Sequence, residues 1–394
     1  MVKKSKRSNT KPTVSGKSNI KFYPFVSVCT VTFNRRPFWK TAFEIFKNQD
    51  YPKNRMEWII LDDGTDKIGD LISEAKIPQI KYVEVEKKMS LGAKRNLSHT
   101  HCKGSIIVYM DDDDYYPPDR VSHAVERLTS SSTALCAGSS ELYLYFKHIN
   151  QMYQCGPYAP NHSTAGTFAF KRELLDITKY DDVAAVAEEK AFLKDYTIPF
   201  IQLDPLKTIL VVSHTHNTFD KRRLLENANP QFLKPSDKTI DMFIRGKDSE
   251  KFKSFFMEDI EPLLDNYEPG TAKYKPDSVK QIAEIQEKRD RMTKGGSAAG
   301  GQQQTISVVI PGQGERVLTQ PEVLHLINTQ KQYIDDLQKR LKDGENKILQ
   351  LNFKIESMTN PTGNPVPVVS PISSADSASN DYDIKKKNLV DIFG

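Results

Sequence analysis

Four short runs of β-forming residues, Phe25–Val31, Trp58–Leu61, Ile80–Val85 and Ile106–Met110, recur early in the chain with helix-length stretches between them. A parallel strand pair needs a crossover of a dozen or more residues, and a helix is the compact way to make one. The alternation therefore predicts an α/β fold, a mainly parallel sheet flanked by helices. Ligands of such sheets bind beyond the carboxyl ends of the strands. Polar and acidic residues follow each run, so chemistry is expected there.

The chain is 394 residues long, enough for two or three structural units at roughly 100 to 200 residues each. Residues 1–21 hold seven Lys and Arg and no acid and offer little to bury, which predicts a disordered basic arm. The α/β pattern occupies 22–230, and 231–293 is charged and helix-prone. The glycine-rich stretch 294–304 predicts a flexible linker, and 305–320 a β-hairpin around Pro311–Gly314. In 321–358 Ile327, Ile334, Leu341, Ile348 and Ile355 repeat every seven residues, with Val323, Leu337, Leu351 and Met358 on the other seam position. This predicts a coiled coil, and isoleucine at a with leucine at d favours a parallel homodimer. Residues 359–394, rich in Pro, Ser, Asn and Asp, predict a disordered tail.

The net charge of +5 is too mild to point to a nucleic-acid partner. Four scattered cysteines, no membrane-length apolar run and no signal-peptide pattern predict a cytoplasmic protein with reduced thiols.

Tyr109-Met-Asp-Asp-Asp-Asp-Tyr-Tyr116 sets four adjacent carboxylates at a strand end. They repel one another, and so close a cluster calls for a cation. In an extended segment Asp111 and Asp113 face one side, a pattern suited to Mg²⁺ or Mn²⁺ shared with substrate phosphates. Asp62-Asp63-Gly64 follows the second strand, where carboxylates accept hydrogen bonds from a nucleobase imide or a ribose. In Ser90–Leu97, Gly92 allows close backbone approach to a ligand, and Lys94 or Arg95 reaches diphosphate oxygens.

Thr30-Val-Thr-Phe-Asn34, Leu61-Asp-Asp-Gly64, Gly92-Ala-Lys-Arg-Asn96, Met110-Asp-Asp-Asp-Asp-Tyr115 and Pro118-Asp-Arg120, in this order, resemble the family-2 glycosyltransferases of GT-A fold. The resemblance covers residues 25 to about 220 and makes 22–230 a GT-A domain with a C-terminal helical and coiled-coil extension. It implies a metal-dependent, inverting transfer of a sugar from a nucleotide-sugar donor, a UDP-sugar foremost, to a hydroxyl of a glycan or protein acceptor. By the same resemblance Val31 and Phe33 line the base pocket, Asp63 holds the base with Asp62 beside it, and Arg95 meets the diphosphate. Asp111 lies near the ribose or the metal, Asp112 joins the nucleotide contacts, and Asp113 binds Mn²⁺ or Mg²⁺. Gly166–Arg172 helps build the acceptor side.

The family's acidic pair before a helix matches Glu188-Glu189, with Glu where Asp is usual, leaving the general base open between the two. His214 and His216 are both candidates for a third metal ligand. Tyr115-Tyr-Pro-Pro118 and the missing membrane anchor resemble transferases of large DNA viruses, which would make the compartment a host cytoplasm. The competing reading is an inactive nucleotide-sugar-binding scaffold protein assembled through its coiled coil; the intact acidic and basic motifs argue against it.

Overall fold

β1 (Val26–Thr32), β2 (Met56–Asp62), β3 (Ile80–Glu84) and β4 (Ile106–Tyr109) align in parallel in the order β3-β2-β1-β4. Their side chains alternate between two cores. Val28, Ile60 and Val108 enter one, while Cys29, Ile59, Ile107 and Tyr109 enter the other, the period of two that an extended chain imposes. Beyond β4 the sheet continues with β8 (Ala169–Lys171) and β5 (Cys136–Gly138) in antiparallel contact, then β9 (Phe200–Gln202) parallel to β5. The result is a mixed, mainly parallel α/β sheet.

This computed structural model describes residues 23–186, 189–226, 229–298, 307–310 and 314–317. Within 322–354 it describes 322, 328–330, 332, 333, 336, 337, 339, 340, 343, 344, 347, 348, 350, 351 and 354. The described residues divide into one unit up to 288 and a second from 289 on.

Helices α1 (Trp39–Lys47), α2 (Gly69–Ala75), α3 (Leu91–Thr100) and α4 (Arg120–Ser130) cover the sheet. Trp39, Phe43 and Phe46 of α1 gather around Trp58, with the Phe46 ring stacked on it at 4.5 Å. His99 of α3 packs on the opposite face against Tyr109 and Phe170. Arg120 is fully buried; its Nη2 donates to the carbonyls of Tyr109, Thr167 and Phe168 and fixes the end of β4 to the loop before β8.

A second sheet has the order β10-β6-β7-β11, formed by β6 (Leu142–Phe146), β7 (Gln151–Cys155), β10 (Leu210–Ser213) and β11 (Leu233–Pro235). Tyr115, directly after the acidic run, bridges to Leu210 and joins that run to β10. After the short α5 (Glu189–Phe192), α6 (Ser249–Ser254), a π turn and α7 (Ile260–Asp265) make one helical run, whose Phe252 and Phe256 pack on Tyr115. Then α8 (Pro276–Ala298) follows.

Two boundaries expected from composition shift. Residue 230 is not a break, because β11 completes the second sheet and residues through 288 belong to the first unit. The glycines at 295 and 296 lie inside α8 rather than in a linker. In the second unit β12 (Ser307–Ile310) and β13 (Gly314–Val317) pair antiparallel. The expected basic arm 1–21 and tail 359–394 lie outside the described residues, as do most of the coiled-coil seam positions: Val323, Ile327, Ile334, Leu341, Ile355 and Met358.

Candidate active site

The carboxyl ends of β1, β2 and β4 converge. β1 is buried along its length except at Val31, its one half-exposed residue. Just past it, Phe33 lies under two ammonium groups, with Lys88 Nζ 5.3 Å and Lys94 Nζ 5.8 Å from its ring centroid. Asn34 turns the chain at φ 53°, a conformation its short polar side chain tolerates. Its Oδ1 accepts from the backbone N–H groups of Thr65 (2.8 Å) and Asp66 (3.0 Å), which binds the β1 and β2 loops together.

Asp62 faces inward. Its Oδ1 accepts from Gly64 N (2.8 Å), and its Oδ2 from Tyr82 Oη (2.7 Å) and Ile68 N (3.2 Å). Asp63 is 1% exposed; it accepts from Lys94 Nζ at 2.9 Å and from Met89 N at 2.6 Å. Of the two cations the sequence left open, Lys94 therefore goes to Asp63. Arg95 goes to the acidic run, its Nη2 4.0 Å from Asp111 Oδ1 and its guanidinium 4.4 Å above the Tyr109 ring.

The four acids after β4 have different surroundings. Asp111 is 29% exposed at its side chain and lies against Gly166, where a Cβ would sit 2.7 Å from its Oδ2. Its N–H and Tyr116 Oη are 2.7 Å apart, and that hydroxyl donates to Gly166 O. Asp113 lies 3.3 Å from both Arg35 Nη2 and His214 Nε2. Burial opposes its ionisation, but Arg35 and His214 outweigh burial and hold it well below the usual carboxylate range. Burial and the Asp113 charge push Asp112 up to about 7, against Arg35, whose Nε is 3.8 Å away. Burial and Asp113 also raise Asp114 well above the ordinary value. Burial lowers His214 to about 4, so its imidazole is neutral near pH 7, the form that ligates metals.

Their neighbours, not their burial, separate the two histidines. His214 sits beside Asp113, whereas His216 turns away, its Nδ1 close to Gly270 and its ring 6.3 Å from Tyr267. The sequence treated them alike; only His214 reaches the acids. Asn217 fixes this turn, accepting from His214 N at 2.9 Å.

Glu189 opens α5 and is 2% exposed. Three residues on, Phe192 stacks on Tyr180 at 4.2 Å, and the Arg95 guanidinium lies over that same Tyr180 ring. This ties α5 to the Arg95 side of the cleft. Glu188 lies outside the described residues. The preceding segment is clasped by α3: a Cβ on Gly92 would sit 1.9 Å from Asp181 O, and Gly92 N donates to Ala184 O. Gly92 thus admits the chain's own backbone, not the ligand expected from sequence. Within Gly166–Arg172, Gly166 faces Asp111 and β8 lies inside the sheet.

Two cations escaped the sequence reading. Arg35 follows directly after the β1 end, a signal visible beforehand. Lys275 comes from 240 residues further along the chain, and no local pattern marks it. It is 8% exposed, with its Nζ 3.0 Å from Thr218 Oγ1.

Among the described residues no three His, Cys, Asp or Glu side chains form a metal cage by themselves. Asp111, Asp113 and neutral His214 are nevertheless a hard oxygen and imidazole set, and Gly166 leaves Asp111 room. That fits Mg²⁺ or Mn²⁺ sharing its shell with substrate oxygens, the usual habit of Mg²⁺. No helix among the described residues is long and apolar enough to cross a membrane.

Comparison with known proteins bears on this geometry. The glycosyl transferase family 2 profile matches residues 27–178. EpsH of Bacillus subtilis strain 168, which carries a glycosyltransferase name, is 32% identical over 98 residues, 24% of this chain and 28% of EpsH. TuaG of the same organism, named for teichuronic acid biosynthesis, is 28% identical over 114 residues, 28% of this chain and 44% of TuaG. The chain thus spans less than half the length of either relative. Among solved structures, the mannosyltransferase PcManGT from Pyrobaculum calidifontis, in complex with GDP-Man and Mn²⁺, has 18% identity and a TM-score of 0.40. That alignment covers 48% of this chain and 57% of PcManGT.

Proposed function

We propose, from the match of residues 27–178 to the glycosyl transferase family 2 profile, that the chain is a metal-dependent, inverting glycosyltransferase. It moves a sugar from a nucleotide sugar, a UDP-sugar foremost, to a hydroxyl of a glycan or protein acceptor. One observation carries this reading: the acidic run after β4, in which Asp112 and Asp113 have opposed proton affinities, meets Arg95 from α3 and His214 from the end of β10.

The nucleobase enters beside Val31 and Phe33, near the Asp63–Lys94 pair, while Asp62 holds the loop from behind. Arg95 takes the diphosphate. Asp111, Asp113 and His214 would hold Mn²⁺ or Mg²⁺, which when bound neutralises charge on the departing diphosphate. Glu189, or Glu188, takes the proton of the acceptor hydroxyl. The acceptor oxygen bonds to the anomeric carbon as the bond from that carbon to the diphosphate oxygen breaks on the opposite face. The products are an inverted glycoside and a nucleoside diphosphate.

A panel of nucleotide sugars with Mn²⁺ tests this, scored for nucleoside diphosphate release and for the anomeric configuration of the product. Release from none of them, or retained configuration, overturns it.

The chain is further proposed to pair with a second copy through 321–358. Leu337, Ile348 and Leu351 are helical and exposed in the single chain. Light scattering on the full chain and on one ending at Lys294 decides it: equal masses per chain refute the dimer.

A further inference from the structure

The segment after α7 lies across the carboxyl end of β1. Tyr267 Oη donates to Asp66 Oδ2 (2.9 Å), Asn34 Nδ2 to Pro269 O (2.9 Å), and Arg35 Nη1 to Gly270 O (3.1 Å). Gly270 has no room for a side chain, since a Cβ there would meet His216 Nδ1 at 2.7 Å and Asn34 O at 2.9 Å. The segment ends at Lys275, where α8 begins, and its neighbour Asp277 pairs with Lys88 beside the Phe33 ring.

Lys275 is thereby buried, with its Nζ 3.0 Å from the neutral Thr218 hydroxyl. Two groups of charge act on it: Arg35 with Asp112 and Asp113 at the acidic run, and Lys94 at the base pocket. Five residues before Lys275, Gly270 O accepts from Arg35, which reaches Asp113, and two residues after it Asp277 pairs with Lys88 over the Phe33 ring. Lys275 therefore lies between the acidic run and the base pocket, where a ligand's phosphates would lie if its base were at Asp63 and its metal at Asp113. Burial and the Arg35 charge press the ammonium toward its neutral form, with Asp113 and Asp112 opposing. A buried cation under that pressure gains from an added anion.

We propose that Lys275, carried in by the segment Tyr267–Lys275, is a second cationic contact for the donor's diphosphate beyond Arg95. The C-terminal part of the first unit then completes the donor site. The inference rests on the nucleotide-sugar reading above.

The test is calorimetric binding by the full chain, with Mn²⁺, of UDP, GDP, ADP, CDP and dTDP and of the nucleoside matching the one that binds. Lys275→Met keeps the apolar stem and should weaken the nucleoside diphosphate about 10- to 100-fold, the scale of one hydrogen bond to a charged group. Nucleoside affinity should stay within about twofold, and Lys275→Arg should restore most of the loss. An unchanged diphosphate affinity overturns the proposal. So does an equal loss for the nucleoside, the mark of a purely structural pin, or tighter Mn²⁺ binding at unchanged nucleotide affinity, the mark of a cation competing for the acids. If Lys275→Met does not fold, Tyr267→Phe decides, since it removes only the hydroxyl that anchors the segment. It should weaken the diphosphate several-fold and spare the nucleoside, and no change in either overturns the proposal. A wild-type chain that binds none of the five diphosphates overturns the nucleotide-sugar reading, and this inference with it.

Discussion

Two acidic motifs end adjacent regions of the same sheet, and the protein treats them oppositely. Asp62 and Asp63 are neutralised from within: backbone N–H groups, the Tyr82 hydroxyl and the Lys94 ammonium take up their acceptor positions. The run after β4 sets four acids side by side, with Arg35, His214 and Arg95 around them. Asp113 claims Arg35 and His214, and Asp112 and Asp114 are left with raised proton affinities. Identical side chains at strand ends thus become a structural clamp in one place and a cluster of opposed proton affinities in the other. What separates them is how closely the acids are set and which partners folding brings to each.

The contrast can be broken by mutation. Asp113→Asn should lower transfer about 10²- to 10³-fold or more, the scale of losing one preorganised charge-stabilising contact. Sugar-nucleotide turnover in Mn²⁺ at near wild-type rate would show the run to be a solvated turn. Asp63→Ala should do the reverse at the level of folding. It strands a buried Lys94 and should cost about 3 kcal/mol or more in urea unfolding. A loss below about 1 kcal/mol would make the two motifs alike.

Glu189 is a further buried acid, on the α5 side. Glu189→Gln should reduce kcat about 10²-fold and leave the donor KM unchanged, since a general base acts in the transition state. If Glu188→Gln alone shows that loss, its neighbour is the base.

The smallest effect concerns pH. A cation at the run favours the ionised form of Asp112, which is held up to about 7, so below that pH a proton must leave as the ion binds. Mn²⁺ affinity should therefore rise by at most about tenfold per pH unit toward 7 and level off above it. A flat profile from pH 5 to 8 would mean that Asp112 does not titrate with the ion.

Much of the site was legible in advance because its parts are local. Each acid follows its strand in the sequence, and Gly92, Lys94 and Arg95 share one helix start. What Asp62-Asp63-Gly64 cannot reveal is which carboxylate turns inward, since that depends on Tyr82 in the next strand. The pair His214 and His216 likewise looks symmetric until Asn217 fixes the turn and Gly270 closes over the second ring. Gly92 was read as room for a ligand; the loop at Asp181, almost ninety residues on, fills that room.

By itself the sequence determined the alternating α/β order, the burial of β1, β2 and β4, and the presence of acids at the carboxyl ends of strands. These follow from period-two patterning and from which residue comes next along the chain. Only the tertiary structure decided which acids are neutralised, which histidine meets Asp113, and that residues 231–288 belong to the first unit and bring Lys275 to the site. The physical reason is distance along the chain. Charges tens to hundreds of residues apart set one another's proton affinity only once folding brings them together in a low-dielectric interior, and no local pattern encodes which of them will meet.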